Sequence, residues 1–425
     1  MKIKLKKIWV KRRRFVYAAG TCLFAAAVSA VFLLRAPEGA IETGTHKKEY
    51  YRYELVEVQL KVSGFGLRNR FAKEGIPYYV AKDKLPVTTI GDRRDFTAKY
   101  DREKKLWAGL WPCPWNADPG VYRVVLDTAA VKDLDPGARI SDNTFRIIKR
   151  RLPKIQKGWS VLTFENTHSP RALKIRDENS ELGDWNNILR WANFINADSF
   201  LYLAAETAYH DARLDENFPW SKHKINQMNM VGAEAKKQGL GFGAYVMVYL
   251  TFGDRKLAPE KYTYAVDYSM SKDELFTTRS ISLNDEKRVD DLIEILKMLD
   301  SYENVDFVGI DYIRNALGGY ELVNDFVRDM DVDVPEEWES FSFEDRMRWL
   351  ARKKIRRADM EFIDQWQWWR AHKSASIIAD VIKRSGIKKP LWAFTLSWDK
   401  GWEHGQDPVM FADAGVDYNL SLIHI

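Results

Sequence analysis

Hydrophobic residues recur with two different periods along the chain, and the change of period falls near residue 150. Between residues 50 and 150, apolar and polar side chains alternate in short runs such as 53–62 and 121–126, with turn residues between the runs. A period of two is typical of half-buried β-strands, because successive side chains point to opposite faces of a sheet. The alternation, with no helical segment among the runs, predicts a small all-β sandwich over residues 50–150.

From residue 158 onwards, continuous apolar runs alternate with segments of helical period. The runs that predict strands are 158–165, 199–206, 242–250, 305–314, 391–397 and one that begins at residue 416. The segments that predict helices are 184–195, 224–238, 285–299 and a region within 343–384. Strict alternation with right-handed crossovers is typical of α/β folds, either a doubly wound sheet or a (β/α)8 barrel. No glycine-rich phosphate-binding turn follows the first strand, which counts against a nucleotide-binding Rossmann unit.

Basic and apolar residues are segregated at the start of the chain. Residues 1–14 contain eight Lys or Arg, and the uncharged run 15–34 is long enough to span a bilayer. The positive-inside rule places residues 1–14 in the cytoplasm and everything after Arg35 outside, with residues 35–49 as a linker. The alternative is a signal peptide cleaved near residue 30, which gives a secreted protein, but the apolar run continues past that site. We therefore predict a membrane-anchored protein whose bulk is extracytoplasmic, at the cell surface or in the periplasm.

Charge and cysteine content exclude several classes of function. The formal charge is +6, but nine basic residues and no acid lie before residue 36, so the remainder carries −3 and offers no basic surface for nucleic acid. Only two cysteines occur, Cys22 and Cys113, which excludes a disulfide scaffold and gives no support to a cysteine metal site. The seven histidines show no metal-binding spacing. We expect no metal and no other cofactor.

The run 305–314 carries the strongest candidate for chemistry, because it ends with an acid, a phenol and a guanidinium within four residues: Asp311, Tyr312 and Arg314. In α/β barrels, polar groups at the C-terminal ends of strands line the active site. We therefore expect Asp311 to be catalytic and the other two to contact substrate. The alternative is that Asp311 caps the following segment and pairs with Arg314.

Two further acids, Glu165 and Glu206, also fall at predicted strand ends. Glycosidic cleavage uses two carboxyl groups that flank the scissile bond and whose pKa values differ. All three acids are therefore candidate catalytic groups, although each is equally compatible with capping a loop, and the sequence does not name the pair. Three aromatic residues at or beyond strand ends are predicted to stack on sugar rings: Tyr249, Trp398 and Trp402.

Residues 309–314 resemble the fourth-strand motif of the glycosyl-hydrolase-like TIM barrels of bacterial cell surfaces. Further matches follow in order, at 369–370, 406–407 and 414–418. The resemblance covers roughly residues 159–419 and implies a TIM barrel that acts on polysaccharide, with Asp311 as a catalytic carboxylate or as the residue that polarises one. Residues 106–122 resemble a hairpin of bacterial immunoglobulin-like accessory domains, which implies a spacer or glycan-contacting module.

Six predicted strands do not close an eight-stranded barrel, and the run 420–425 has neither a helix nor a polar tail. We therefore expect residues 158–425 to form a (β/α)8 TIM barrel truncated after about six strands, in a natural chain that continues further. The expected function is cleavage of an extracellular polysaccharide or oligosaccharide by carboxylate acid/base chemistry. The alternative is a non-catalytic glycan-binding surface protein. A metal-dependent deacetylase or phosphoesterase is disfavoured, because no His/Asp cluster is visible.

Overall fold

The computed structural model describes twelve stretches of the 425-residue chain. These are residues 39–89, 93–126, 131, 137–152, 159–165, 170–205, 209–211, 216–218, 222–249, 262–314, 318–396 and 402–421. They form a β region up to residue 148 and a mixed α/β region from residue 161.

The prediction of a membrane-anchored protein is corrected by the helices of this structure. Within the stretches that the structure describes, no helix combines the length and the apolar character needed to cross a bilayer. The predicted span, 15–34, and the basic segment before it lie outside these stretches. The described residues therefore do not support membrane attachment or the extracytoplasmic location that was inferred from it.

Ten strands and one complete helix lie among the described residues of the β region. The strands are β1 (Ala40–Thr45), β2 (Glu49–Tyr51), β3 (Leu55–Ser63), β4 (Ile76–Lys82), β5 (Leu85–Pro86), β6 (Asp95–Asp101), β7 (Leu106–Pro112), β8 (Gly120–Leu126), β9 (Arg139–Ser141) and β10 (Thr144–Ile148). They follow the order β2-β10-β8-β4-β6-β7-β3-β1-β9, and β5 pairs with β4. The first half of β6 pairs with β4 and the second half with β7, so this strand joins the two halves of the sheet.

The two halves of this sheet enclose one hydrophobic core, in which Trp107 and Trp111 are completely buried. The alternating burial along β3 matches the predicted period of two. Two features differ from the expectation. Strand β1 lies inside the predicted linker, and a helix, α1 (Phe65–Glu74), follows β3. An immunoglobulin-like topology is not established, because β1–β9 and β2–β10 are parallel pairs.

The α/β region contains twelve strands and seven helices among the described residues. The strands are β11 (Val161–Phe164), β12 (Ile175–Arg176), β13 (Leu182–Gly183), β14 (Ser199–Ala205), β15 (Tyr209–Asp211), β16 (Glu216–Phe218), β17 (Gly241–Met247), β18 (Tyr264–Ser269), β19 (Glu274–Ile281), β20 (Phe307–Asp311), β21 (Leu391–Thr395) and β22 (Tyr418–Ser421). The helices are α2 (Asn186–Phe194), α3 (Lys222–Lys237), α4 (Glu286–Ser301), α5 (Val323–Met330), α6 (Phe343–Arg356), α7 (Met360–Ser385) and α8 (Pro408–Ala414). Short 3₁₀ helices occur at Pro170–Ala172, Tyr320–Leu322 and Trp338–Ser340.

Six of these strands form one parallel sheet in the order β11-β14-β17-β20-β21-β22, and each of the six predicted runs contains one of them. The sheet curls so strongly that Trp159, beside the first edge strand, contacts Tyr418 of the other edge strand, with ring centroids 5.0 Å apart. Within the described residues β11 and β22 do not pair, so the sheet is an open half-barrel. The predicted truncated (β/α)8 TIM barrel is thus wrong: the structure shows a mixed α/β fold with a curled, open sheet.

Curling gives the sheet a concave inner face and a convex outer face. The inner face is filled by side chains of the strands themselves, including Tyr245, Met247 and Trp392. The outer face is covered by helices, in a larger core that includes residues of α3, α4 and α7. Gly309 of β20 lies under Trp392, and a Cβ at this position would lie 2.2 Å from the indole ring. Position 309 therefore needs a glycine, because the Trp392 ring crosses the inner face of β20 there.

Three aspartates fix the N-terminal edge of the sheet. Asp198, Asp306 and Asp417 each precede a strand. Asp198 accepts a hydrogen bond from the backbone N–H of Ser160 before the neighbouring strand, at 2.8 Å. The equivalent bonds run from Phe242 to Asp306 at 3.0 Å and from Leu391 to Asp417 at 2.8 Å. These carboxylates are structural, because each satisfies a backbone donor where a strand begins.

The β region is held against the α/β region by charged hydrogen bonds. Arg52 donates to both carboxylate oxygens of Asp413 in α8, at 2.6 and 2.9 Å. Arg150 bonds Asp417 at 3.1 Å, and Arg93 donates to the backbone oxygen of Met330 at 2.8 Å. A paired, bidentate arginine of this kind orients the two regions more strictly than a single contact does.

Candidate functional site

Asp311 and Glu165 lie at the C-terminal edge of the curled sheet. Asp311 is the last residue of β20, and Glu165 follows directly after β11. Both share the parity of inner-face residues in their strands, Phe307 in β20 and Val161 in β11. The two strands are separated by β14 and β17 in the sheet, yet curling brings the carboxyl groups within hydrogen-bonding reach of each other.

The surroundings of this pair favour a shared proton. Asp311 is only 1% exposed, and this burial raises its pKa to about 7. Its own neighbour Tyr312 opposes the rise by donating a backbone hydrogen bond at 2.7 Å, whereas the Glu165 carboxyl adds to it. Glu165 is exposed as a residue, but partial burial of its carboxyl group also raises its pKa. Two carboxyl groups this close do not both ionise near neutral pH.

Tyr312 and Arg314 flank Asp311 on the side of the following segment. Tyr312 has a φ of 53°, in the left-handed region that a bulky residue rarely adopts, and its ring packs against the inner-face cluster. The Arg314 guanidinium lies 4.6 Å from the centroid of that ring and is nine-tenths buried. No ion pair joins Arg314 to Asp311 or to any other carboxylate of the described residues. The predicted alternative, in which these two simply pair, is therefore not what the structure shows.

Tyr245 completes the group and was not predicted. Its position in β17 is opposite Gly309 of β20, two residues below the level of Asp311. The hydroxyl is buried, has no hydrogen-bond partner among the described residues, and interacts electrostatically with Glu165, Asp311 and Tyr312. Burial and these negative charges raise the Tyr245 pKa strongly, so the phenol stays neutral and able to donate. The signal that could have found it is parity: Tyr245 faces the same side as Asp311.

Of the other predicted site residues, the two that the structure describes, Tyr249 and Trp402, are not brought to this group. Tyr249 is completely buried in the outer-face core and its backbone N–H donates to Tyr312 O at 3.1 Å, so its ring is closed to a sugar. Trp402 is half-buried and lines a small cavity with Trp115 and Trp368. Glu206 and Trp398 lie outside the described residues.

A second set of charged residues lies beyond the end of β20, between α6 and α7. Lys354 lies over the ring of Tyr320 at 5.7 Å, and Arg370 is completely buried beside Gln367, to which it donates at 3.0 Å. Burial lowers the pKa of Lys354 to about 7 and that of Arg370 to about 10. Burial also raises the pKa of Glu321. Within the part of the chain that is described, no cluster of three or more His, Cys, Asp or Glu residues is arranged to hold a metal ion.

Comparison with known proteins gives structural neighbours only. No protein-family model matches the chain, and no curated protein matches it. Chitinase ChiW from Paenibacillus sp. str. FPU-7 shares 8% identity over 90% of this chain and 27% of its own, with a TM-score of 0.27. The α-galactosidase TtGalA from Thermus thermophilus shares 11% identity over 85% and 70%, with a TM-score of 0.32. The α-amylase GTA from Geobacillus thermoleovorans shares 11% over 62% and 51%, with a TM-score of 0.32.

These structural neighbours are glycoside hydrolases. The chain spans about a quarter of the length of the chitinase and about half of the amylase. With identities of 11% or less and TM-scores of 0.32 or less, the likeness carries no argument about a specific activity.

Proposed function

We propose that this chain is a glycoside hydrolase that cleaves a polysaccharide or oligosaccharide with the Glu165–Asp311 pair. The observation that supports the proposal most is the pair itself: two carboxyl groups from separate strands share one edge of a concave sheet, and both have raised pKa values. A carboxyl group that keeps its proton near neutral pH can protonate a departing glycosidic oxygen, and this is the acid half of such a reaction.

The different burial of the two carboxyl groups supports different roles for them in this proposal. Glu165 is exposed and is therefore the group that touches the sugar and donates the proton. Asp311 is buried behind it and acts as a positioning residue that shares its proton with Glu165; burial raises the pKa of Glu165, and the contact with Asp311 lowers it in part. This arrangement corresponds to the second of the two roles that the family resemblance allowed for Asp311.

The closeness of the pair bears on the mechanism. Retaining glycosidases place their two carboxyl groups about 5 Å apart, and inverting ones about 6.5–9.5 Å apart, so that a sugar or a water fits between them. Glu165 and Asp311 share a hydrogen bond, a closer approach than the wider of these two spacings. We therefore propose that one carboxyl, Glu165, faces the bond, and that the attacking group is water or a group of the substrate itself.

The test is a screen of bacterial and plant polysaccharides for reducing ends released by the full chain. We expect at least one glycan to be cleaved, and we expect Glu165→Gln and Asp311→Asn each to lower kcat by about 10²-fold or more, because general acid catalysis contributes about 10²–10⁴. The matched control is Glu303→Gln, an exposed carboxyl just before the opposite end of β20, which should leave kcat unchanged. Cleavage that survives both site variants would refute the proposal.

A non-catalytic glycan-binding protein is the second candidate. The observation that favours it is the same hydrogen bond, because it joins the two carboxyl groups to each other and not to a substrate. It predicts that no glycan is cleaved in the screen and that Asp311→Asn binds every glycan as the parent does. That combined result would replace the hydrolase proposal.

A further inference from the structure

Arg314 is a buried cation that forms no ion pair within the described stretches, although it interacts electrostatically with Asp311. It is 9% exposed, and its Nη1 atom has no hydrogen-bond partner there. Its guanidinium lies 4.6 Å from the centroid of the Tyr312 ring. A buried charged donor that is left unsatisfied is costly, whereas a hydrogen bond to a charged group is among the stronger ones in proteins.

The other buried arginines show what this chain normally provides. Arg288 is completely buried and donates to the backbone oxygens of Val248 and Met247, at 2.8 and 2.7 Å. Arg370, also completely buried, donates to Gln367. Arg288 still keeps one buried donor, Nη1, without a partner among the described residues. Arg314 differs from both because no hydrogen bond joins any of its donors to a described residue, and it is the one that lies beside the candidate site. The missing acceptor is therefore expected to come from a ligand.

A second orphaned group lies around the same carboxyl pair. The Tyr245 hydroxyl is buried without a hydrogen-bond partner among the described residues. Tyr245 and Arg314 each interact electrostatically with Asp311 and Tyr312, and Tyr245 is opposite Gly309, two residues before Asp311. Each can donate a hydrogen bond. A ligand that satisfies both must bring acceptor oxygens, and the guanidinium favours acceptors that carry negative charge.

We propose that Arg314 binds the carboxylate of an acidic sugar, so that the substrate is a glycan containing hexuronic acid residues. This inference rests on the proposed glycoside hydrolysis and names its substrate class. A carboxylate matches the planar fork of an arginine with two parallel hydrogen bonds, which a sugar hydroxyl cannot do. The Glu165–Asp311 pair interacts with Arg314 electrostatically through Asp311, but within the described stretches no ion pair or hydrogen bond joins the pair to the guanidinium.

The experiment measures binding of monosaccharides to the full chain by isothermal titration calorimetry. The probes are D-glucuronate and D-galacturonate, the matched neutral sugars D-glucose and D-galactose, and D-glucose 6-sulfate. We expect the uronates to bind at least about tenfold more tightly than the neutral sugars, since one charged hydrogen bond is worth about that factor. Arg314→Gln should abolish the preference, and Arg314→Lys should keep only part of it, because a lysine offers no fork. Arg384→Gln, an exposed arginine of α7, is the matched control and should keep the full preference.

Several outcomes would overturn the inference. One is equal binding of uronates and neutral sugars by the parent, or binding of neither. Another is a uronate preference that survives Arg314→Gln, and a third is tighter binding of the sulfated sugar than of the uronates. If Arg314→Gln does not fold, as judged by circular dichroism, the parent's discrimination among the probes still decides the question.

The same experiment separates this inference from the proposed function. Monosaccharides contain no glycosidic bond to cleave, so their binding does not depend on turnover. A uronate preference without cleavage of any glycan would refute the hydrolase and leave the acidic-sugar site standing. Cleavage of neutral glycans without a uronate preference would do the reverse.

Discussion

Asp311 is kept protonated by burial, and this has a consequence for folding as well as for catalysis. Its pKa is raised from its ordinary value to about 7 in the folded chain, so between about pH 4 and pH 7 the folded state binds more protons than the unfolded state does. The stability contributed by this group is therefore fully present at low pH and is lost as the pH rises through about 7.

The matching prediction compares the parent with Asp311→Asn in urea unfolding over that pH range. The free energy of unfolding of Asp311→Asn relative to the parent should rise by about 2–4 kcal/mol between pH 4 and pH 8, because the amide cannot ionise. For the control, Glu303→Gln, we expect the free energy of unfolding relative to the parent to stay the same over that pH range. A constant offset between parent and Asp311→Asn at every pH would show that Asp311 is not held protonated.

At the scale of the elements, the hydrophobic pattern predicted where the strands lie. It did not predict which side chains of the central strands point to the inner face of the sheet. Each predicted run in the α/β region contains a parallel strand. In a strand buried on both sides, such as β17, every residue is apolar and no alternation marks the inner face. Asp311 was found because it is charged, whereas Tyr245, one strand away, looked like core. Helix α1 was missed because, among its described side chains, only Leu67 and Phe71 are buried in the core.

Contact across the inner face explains why β20 contains a glycine. We predict that Gly309→Ala destabilises the fold by about 1–3 kcal/mol or more, because its methyl group would overlap the Trp392 ring and force it to move. The control is Gly66→Ala in α1, where the added methyl meets no atom and alanine is the better helix former. Urea unfolding of both variants measures the difference. Equal, small effects would contradict the described packing of the inner face.

At the scale of the whole molecule, the curvature of the sheet was the feature that could not be predicted from the sequence. Strand order and curvature are set by contacts between distant residues, such as Trp159 with Phe307 and Tyr418, and no local pattern encodes these contacts. The same curvature brings Glu165 and Asp311 together from strands that are not neighbours. Their residue types were therefore predictable, but their pairing was not.

The pH dependence of kcat/KM on a cleaved glycan tests the pairing of Glu165 with Asp311 most directly. The account predicts an alkaline limb near pH 7 for the parent, because activity needs the proton that the pair shares. For the residual activity of Asp311→Asn, that limb should move away from pH 7 to the pKa of Glu165 alone, which burial still keeps above its ordinary value, because the proton that Asp311 holds up to about pH 7 is no longer there. An alkaline limb that stays at the same pH in Asp311→Asn would contradict the account.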